Sequence, residues 1–114
     1  MIYSESLKKY ADFQVVYKQR ISYANRYLVM YIRKNAMDKN RIGISVSKKV
    51  GNSIVRHRLT RLIRESYRLN EQAFERGYDI VVVARVNAKG IAYQEMESAL
   101  MHLGRLHHLV KKES

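Results

Sequence analysis

A single α+β domain, built as an α-β sandwich, is predicted for this chain of 114 residues on three observations. Stretches of two-residue apolar alternation stand beside stretches of helical periodicity, in the order helix, strands, helix, strand, helix. Hydrophobic residues make up 46% of the chain, enough for one core at this length. The five glycines, at 43, 51, 77, 90 and 104, are dispersed, and no proline, repeat or low-complexity block marks a linker. Residues 1–114 are therefore read as one unit.

Ser4 or Ser6 is positioned to cap a first helix ending near Gln19, with Leu7, Phe13, Val16 and Tyr17 as a partial apolar face. Residues 26–33 alternate as a strand, Tyr27, Val29 and Tyr31 to one side and Leu28, Met30 and Ile32 to the other. Residues 34–40 are polar and read as a turn. Residues 41–47 alternate again, with Ile42, Ile44 and Val46 on one face. The simplest pairing of these two strands is an antiparallel hairpin. Gly51-Asn52-Ser53 can cap a helix over residues 54–69, followed by a further helical turn over 71–75 that Gly77 closes. The run Ile80-Val81-Val82-Val83 marks residues 78–84 as a strand buried on both faces. Met96, Ala99, Leu100, Leu103 and Leu106 place the last helix at 93–110.

Charge supplies the first functional clue. The formal net charge is +12, and all of it lies in residues 1–64, which carry 15 basic and 3 acidic side chains. Residues 39–64 hold eight basic side chains and no acid. A one-sided field of this size points to a polyanion, nucleic acid before an anionic membrane surface. No cysteine is present, which excludes a disulfide framework, a thiolate metal site and a cysteine nucleophile. With no apolar run of membrane-spanning length and no leader-like opening, a cytoplasmic protein is expected.

At about 100° per residue, Arg56, His57, Arg61, Arg64 and Arg68 share roughly 140° of the second helix. Leu62, Val55, Leu59 and Ile63 occupy the opposite side, and Arg58 lies at the border. Like charges at i,i+4 spacing cost helix stability unless a partner compensates, and guanidinium forks onto phosphate oxygens. Lys48 and Lys49 extend this surface, and the helix N-terminus with the Gly51-Asn52 amides offers further donors to an anion. A second surface is aromatic. Phe13 and Tyr17 on the first helix, with Tyr27 and Tyr31 on the strand, can line a groove floored by Val29. Lys18, Arg20, Arg26 and Arg33 stand at its edges. Such a groove stacks single-stranded nucleic acid, although aromatics at this spacing also serve as plain core. No paired carboxylates, nucleophile elbow or phosphate loop is found, and His102, His107 and His108 read as surface or packing residues.

The run Arg41-Ile42-Gly43-Ile44-Ser45-Val46-Ser47-Lys48-Lys49-Val50-Gly51-Asn52, followed by Arg56-His57-Arg58-Leu59-Thr60-Arg61-Leu62-Ile63-Arg64-Glu65, closely resembles the bacterial ribonuclease P protein family. Asp12-Phe13-Gln14, Ala24-Asn25-Arg26, Val29-Met30-Tyr31 and residues 80–85 are similar to it as well, so the resemblance covers about residues 7–109. It implies an α-β-β-β-α-β-α order with a left-handed βαβ crossover, against the usual hand, and a short extra strand near 21–23. It also implies a protein cofactor for removal of the 5′ leader from precursor tRNA, in which the RNA subunit hydrolyses the phosphodiester with Mg²⁺. The RNA-subunit face would use Lys48, Lys49, Arg56, His57, Arg58, Arg61, Arg64 and Arg68. The leader groove would use Phe13, Tyr17, Arg26, Tyr27, Val29 and Tyr31. Three positions depart from the family pattern: His57 for an asparagine, Thr60 for a lysine, and Arg20 where glycine is common. A general RNA-binding protein and a protein-only nuclease are the competing readings.

Overall fold

The computed structural model describes residues 1–111, so residues 112–114 of the expected domain lie outside the described residues. Five strands, β1 (Ser4–Ser6), β2 (Ser22–Ala24), β3 (Leu28–Lys34), β4 (Asn40–Ser45) and β5 (Tyr78–Ala84), form one sheet in the order β1-β4-β5-β3-β2. Helices α2 (Ser53–Asn70) and α3 (Tyr93–Leu106) pack on one face and α1 (Tyr10–Lys18) on the other. The observed order is thus the expected one with a strand added at the N-terminus. The short extra strand is β2, and β4, α2 and β5 form the parallel crossover unit.

Three expectations are corrected. The β3–β4 hairpin does not form, because β5 lies between the two, antiparallel to β3 and parallel to β4. Ile80, Val81 and Val82 are at most 1% exposed, and such a run buries both its faces and both its edges only at the sheet centre. Ser4 and Ser6 do not cap α1. They lie in β1, in register with Asn40 and Ile42, while Lys9 occupies the N-cap without a side-chain bond. The last helix also ends earlier than expected, at Leu106. His108 turns the chain at φ 59°, the amides of Leu109 and Val110 bond back to the Gly104 carbonyl, and Val110 bridges to Phe74.

The larger core, between sheet and α2/α3, holds Leu28, Met30, Leu59, Ile63, Tyr67, Ile80, Met96, Leu100 and Leu103. His107 is buried in it, 2.8 Å from the Met30 carbonyl through Nε2 and edge-on to Tyr23. Burial holds its imidazole below the ordinary pKa, against the opposing pull of that carbonyl. A folded-state pKa below the unfolded value means that the unfolded chain binds the extra proton first. The stability His107 contributes is present above about pH 6.5 and is lost as pH falls from there toward the folded pKa. Urea midpoints should therefore fall between pH 7.5 and 5.5, and a His107→Gln variant should show a shallower fall over the same window.

Candidate nucleic-acid interface

The exposed face of α2 is where the arginines gather. Asn52 caps the helix, its Oδ1 accepting from the Val55 amide at 3.0 Å. Gly51 is required just before it, since a Cβ there would stand 2.7 Å from Val55 Cγ1. Lys48 and Lys49 lie exposed in the preceding turn, anchored by buried Val50. His57, Arg58, Arg61, Arg64 and Arg68 are exposed, whereas Arg56 and Thr60 are half-buried. The exposed arc is thus rotated away from the one expected, because Tyr67, only 2% exposed, carries the core round to the Arg56 side of the helix. Arg56 Nε is buried with no hydrogen-bond partner among the described residues. The Thr60 hydroxyl donates to the Arg56 carbonyl. Two of the eight predicted residues are already engaged. Arg58 donates to the Ile91 carbonyl at 2.8 Å, and Arg68 forks onto Glu65.

On the opposite face of the sheet, α1 packs over a second apolar cluster of Leu7, Val16 and Val81, against which Phe13, Tyr17, Tyr31 and Val83 stand half-buried. Phe13 lies across Gly43, where a Cβ would meet the ring at 2.7 Å, so only glycine admits it. Tyr17 stands 6.4 Å from Phe13 and 4.9 Å, edge-on, from Tyr31. Burial raises the Tyr17 hydroxyl's pKa, partly offset by Ser45, so it is a neutral hydrogen-bonding group. Val29, half-buried, pairs with Val83, and exposed Ser22 and Ala24 of β2 face Tyr31 and Val29 across the ladder.

Tyr27 and Arg26 do not join this cluster. Asn25 Oδ1 accepts from the amides of both Tyr27 and Leu28, making a tight turn that ends strand alternation at Leu28. Tyr27 packs toward the larger core and donates to Glu95 on α3, and Arg26 stacks on the Tyr27 ring at 5.6 Å.

The sequence model of ribonuclease P matches residues 1–107. The chain belongs to the ribonuclease P protein family. It is 61% identical to the ribonuclease P protein component of Lachnoclostridium phytofermentans over 94% of this chain and 92% of that one. Among solved structures it is similar to the ribonuclease P protein of Staphylococcus aureus (TM-score 0.85, 37% identity, 93% of this chain and 97% of that one). It is also similar to that of Thermotoga maritima (TM-score 0.81, 33% identity, 88% and 96%).

Arg20 stands where the resemblance leads glycine to be expected, and its backbone conformation bears on that expectation. Arg20 adopts φ 56° just after α1, the left-handed region that glycine enters freely and that costs another residue roughly 1–2 kcal/mol. A cluster that sequence reading missed ties β3, β4 and β5 together at Asp79. Asp79 is wholly buried and accepts from Arg41 Nε at 2.8 Å, Arg41 Nη2 at 2.7 Å, Asn35 at 3.0 Å and Arg33 at 3.3 Å. Arg41 also lies 3.9 Å from Asp12 on α1. Burial raises the Asp79 carboxyl, but these bonds and the two guanidinium charges outweigh it and hold the pKa below the ordinary range. Nothing local signals this cluster, because Arg33 and Arg41 become neighbours of Asp79 only once β5 sits between their strands. No helix among the described residues is long and apolar enough to cross a membrane.

Proposed function

We propose that this chain works with a ribonuclease P RNA and grips the 5′ leader of precursor tRNA, so that the RNA subunit, with Mg²⁺, cleaves at the mature 5′ end. One observation carries the reading. The cationic α2 and the Phe13–Tyr17–Tyr31 cluster lie on the two faces of one sheet, and residues 46–52 run from β4, whose Gly43 lies under Phe13, to α2, so both can engage one ribonucleoprotein. Arg61, Arg64, Lys48 and Lys49 neutralise phosphates of the RNA subunit, and His57 offers a hydrogen bond beside them. Each contact releases counterions and steepens log K against log salt by roughly 0.7–0.9. The leader then lies along Val29 and Tyr31, and base–aromatic stacking contributes about 1–3 kcal/mol per base. In this reading the Mg²⁺ is held by the RNA, and the chain's own part is to bind and position.

The test is reconstitution with a bacterial ribonuclease P RNA at low Mg²⁺ and near-physiological salt. Cleavage of precursor tRNA should need both components. Tyr31→Ala should weaken precursor binding by about fivefold or more while leaving mature tRNA unchanged. Equal loss for both substrates sinks the leader role and leaves a general RNA binder. Cleavage by the protein alone, surviving nuclease treatment, overturns the mechanism.

A further inference from the structure

A cavity of about 820 Å³ opens along α2, lined by Ile54, His57, Arg58, Arg61 and Leu62 among others. Ile54 is 79% exposed, which a lone surface isoleucine tolerates without purpose. Here, however, it sits one turn from Arg58 and two from Leu62, at i, i+4 and i+8, so the three form a column beside the arginine stripe. Arg58 is not a free side chain. Its Nη2 is fixed to the Ile91 carbonyl at 2.8 Å, which immobilises a planar guanidinium at the cavity edge. A fixed guanidinium plane and an aliphatic side chain, rimmed by His57 and Arg61, match an unstacked nucleobase whose phosphates lie on the cations.

We infer that this cavity is a base-binding slot, in which a single unpaired base of the RNA subunit stacks on Arg58 and packs against Ile54 and Leu62. The inference rests on the assignment of α2 to the RNA subunit and says what else α2 reads there. Arg61 and Arg64 then supply charge, whereas Ile54 and the plane of Arg58 supply contact with a base.

Salt dependence separates the two contributions. Ile54→Ala keeps a good helix former at an exposed site and so should fold normally. In titrations of a bacterial ribonuclease P RNA transcript from 0.1 to 1 M salt, Ile54→Ala should lose about fivefold in affinity at every salt concentration with an unchanged slope. Ile54→Phe, offering a larger stacking face, should bind at least as tightly as the parent. Less than a twofold loss for Ile54→Ala, or a loss that vanishes at 1 M salt, overturns the slot. If Arg61→Ala leaves the slope untouched, the assignment of α2 to RNA fails, a different result from failure of the slot alone.

Discussion

Arg41→Met is expected to cost about 3 kcal/mol of stability, more than Asp79→Asn, although the two substitutions remove the same ion pair. The asymmetry follows from burial. The Asp79 side chain is 1% exposed and that of Arg41 is 24% exposed. Removing the arginine strands a carboxylate in the interior with only Asn35 and the 3.3 Å contact to Arg33. Breaking a buried pair from that side costs about 3–5 kcal/mol, and the surviving Arg33 places this case at the lower end. Asp79→Asn instead leaves two guanidiniums that still reach water, and an amide that can still accept from Arg41. Urea unfolding of the two variants at pH 7 decides the order, and equal losses would contradict the burial argument. Because the folded Asp79 pKa is depressed, the pair's contribution is present above the ordinary aspartate range near 4 and lost as pH falls through the folded value. The Arg41→Met variant should therefore lose less of its remaining stability to acid than the parent does.

The same cluster shows what the sequence could and could not disclose. Wherever one element's own periodicity decides its state, the reading from sequence holds: β5 at 78–84, α2 within a residue of each end, and the Asn52 cap. Long-range pairing decides the rest. Residues 26–33 and 41–47 both alternate and are adjacent in the chain, so local reasoning pairs them. Only the competition of Ile80-Val81-Val82 for the central position separates them. Ser4–Ser6 has no strand signature of its own and becomes β1 by lying beside Asn40–Ser45. The site divides in the same way. Phe13, Tyr17 and Tyr31 come together, with Val29 two residues from Tyr31 along β3, because their spacing on α1 and β3 is regular. Tyr27 falls outside the cluster because the Asn25 side chain bends the chain one residue too early for the alternation to reach it. On α2 the stripe was legible, but its rotation was not, since no wheel drawn from Arg56 shows that Tyr67 is the side chain the core claims.

Removing Arg61 and Arg64 together is expected to have the largest effect on RNA affinity, and its size follows from counterion release. Both side chains are exposed on the outward arc of α2, and neither takes part in an ion pair among the described residues, unlike Arg68 with Glu65. Each phosphate contact contributes a slope of roughly 0.7–0.9 in log K against log salt, which amounts to about four- to fivefold in affinity at 0.15 M relative to 1 M. Arg61→Ala with Arg64→Ala should therefore flatten the slope by about 1.4–1.8 and weaken binding by about 15- to 30-fold at 0.15 M, with little deficit left at 1 M. Arg68→Ala should change the slope less than either, because its guanidinium must leave Glu65 before it can meet a phosphate, and Glu65→Gln should restore to Arg68 the contribution that the pairing withholds. A slope unchanged by the double substitution would mean that RNA meets some other face of the protein. A deficit that persists undiminished at 1 M salt would mean that these arginines read bases or shape, since neutralised phosphates carry no cost once salt has displaced the counterion atmosphere.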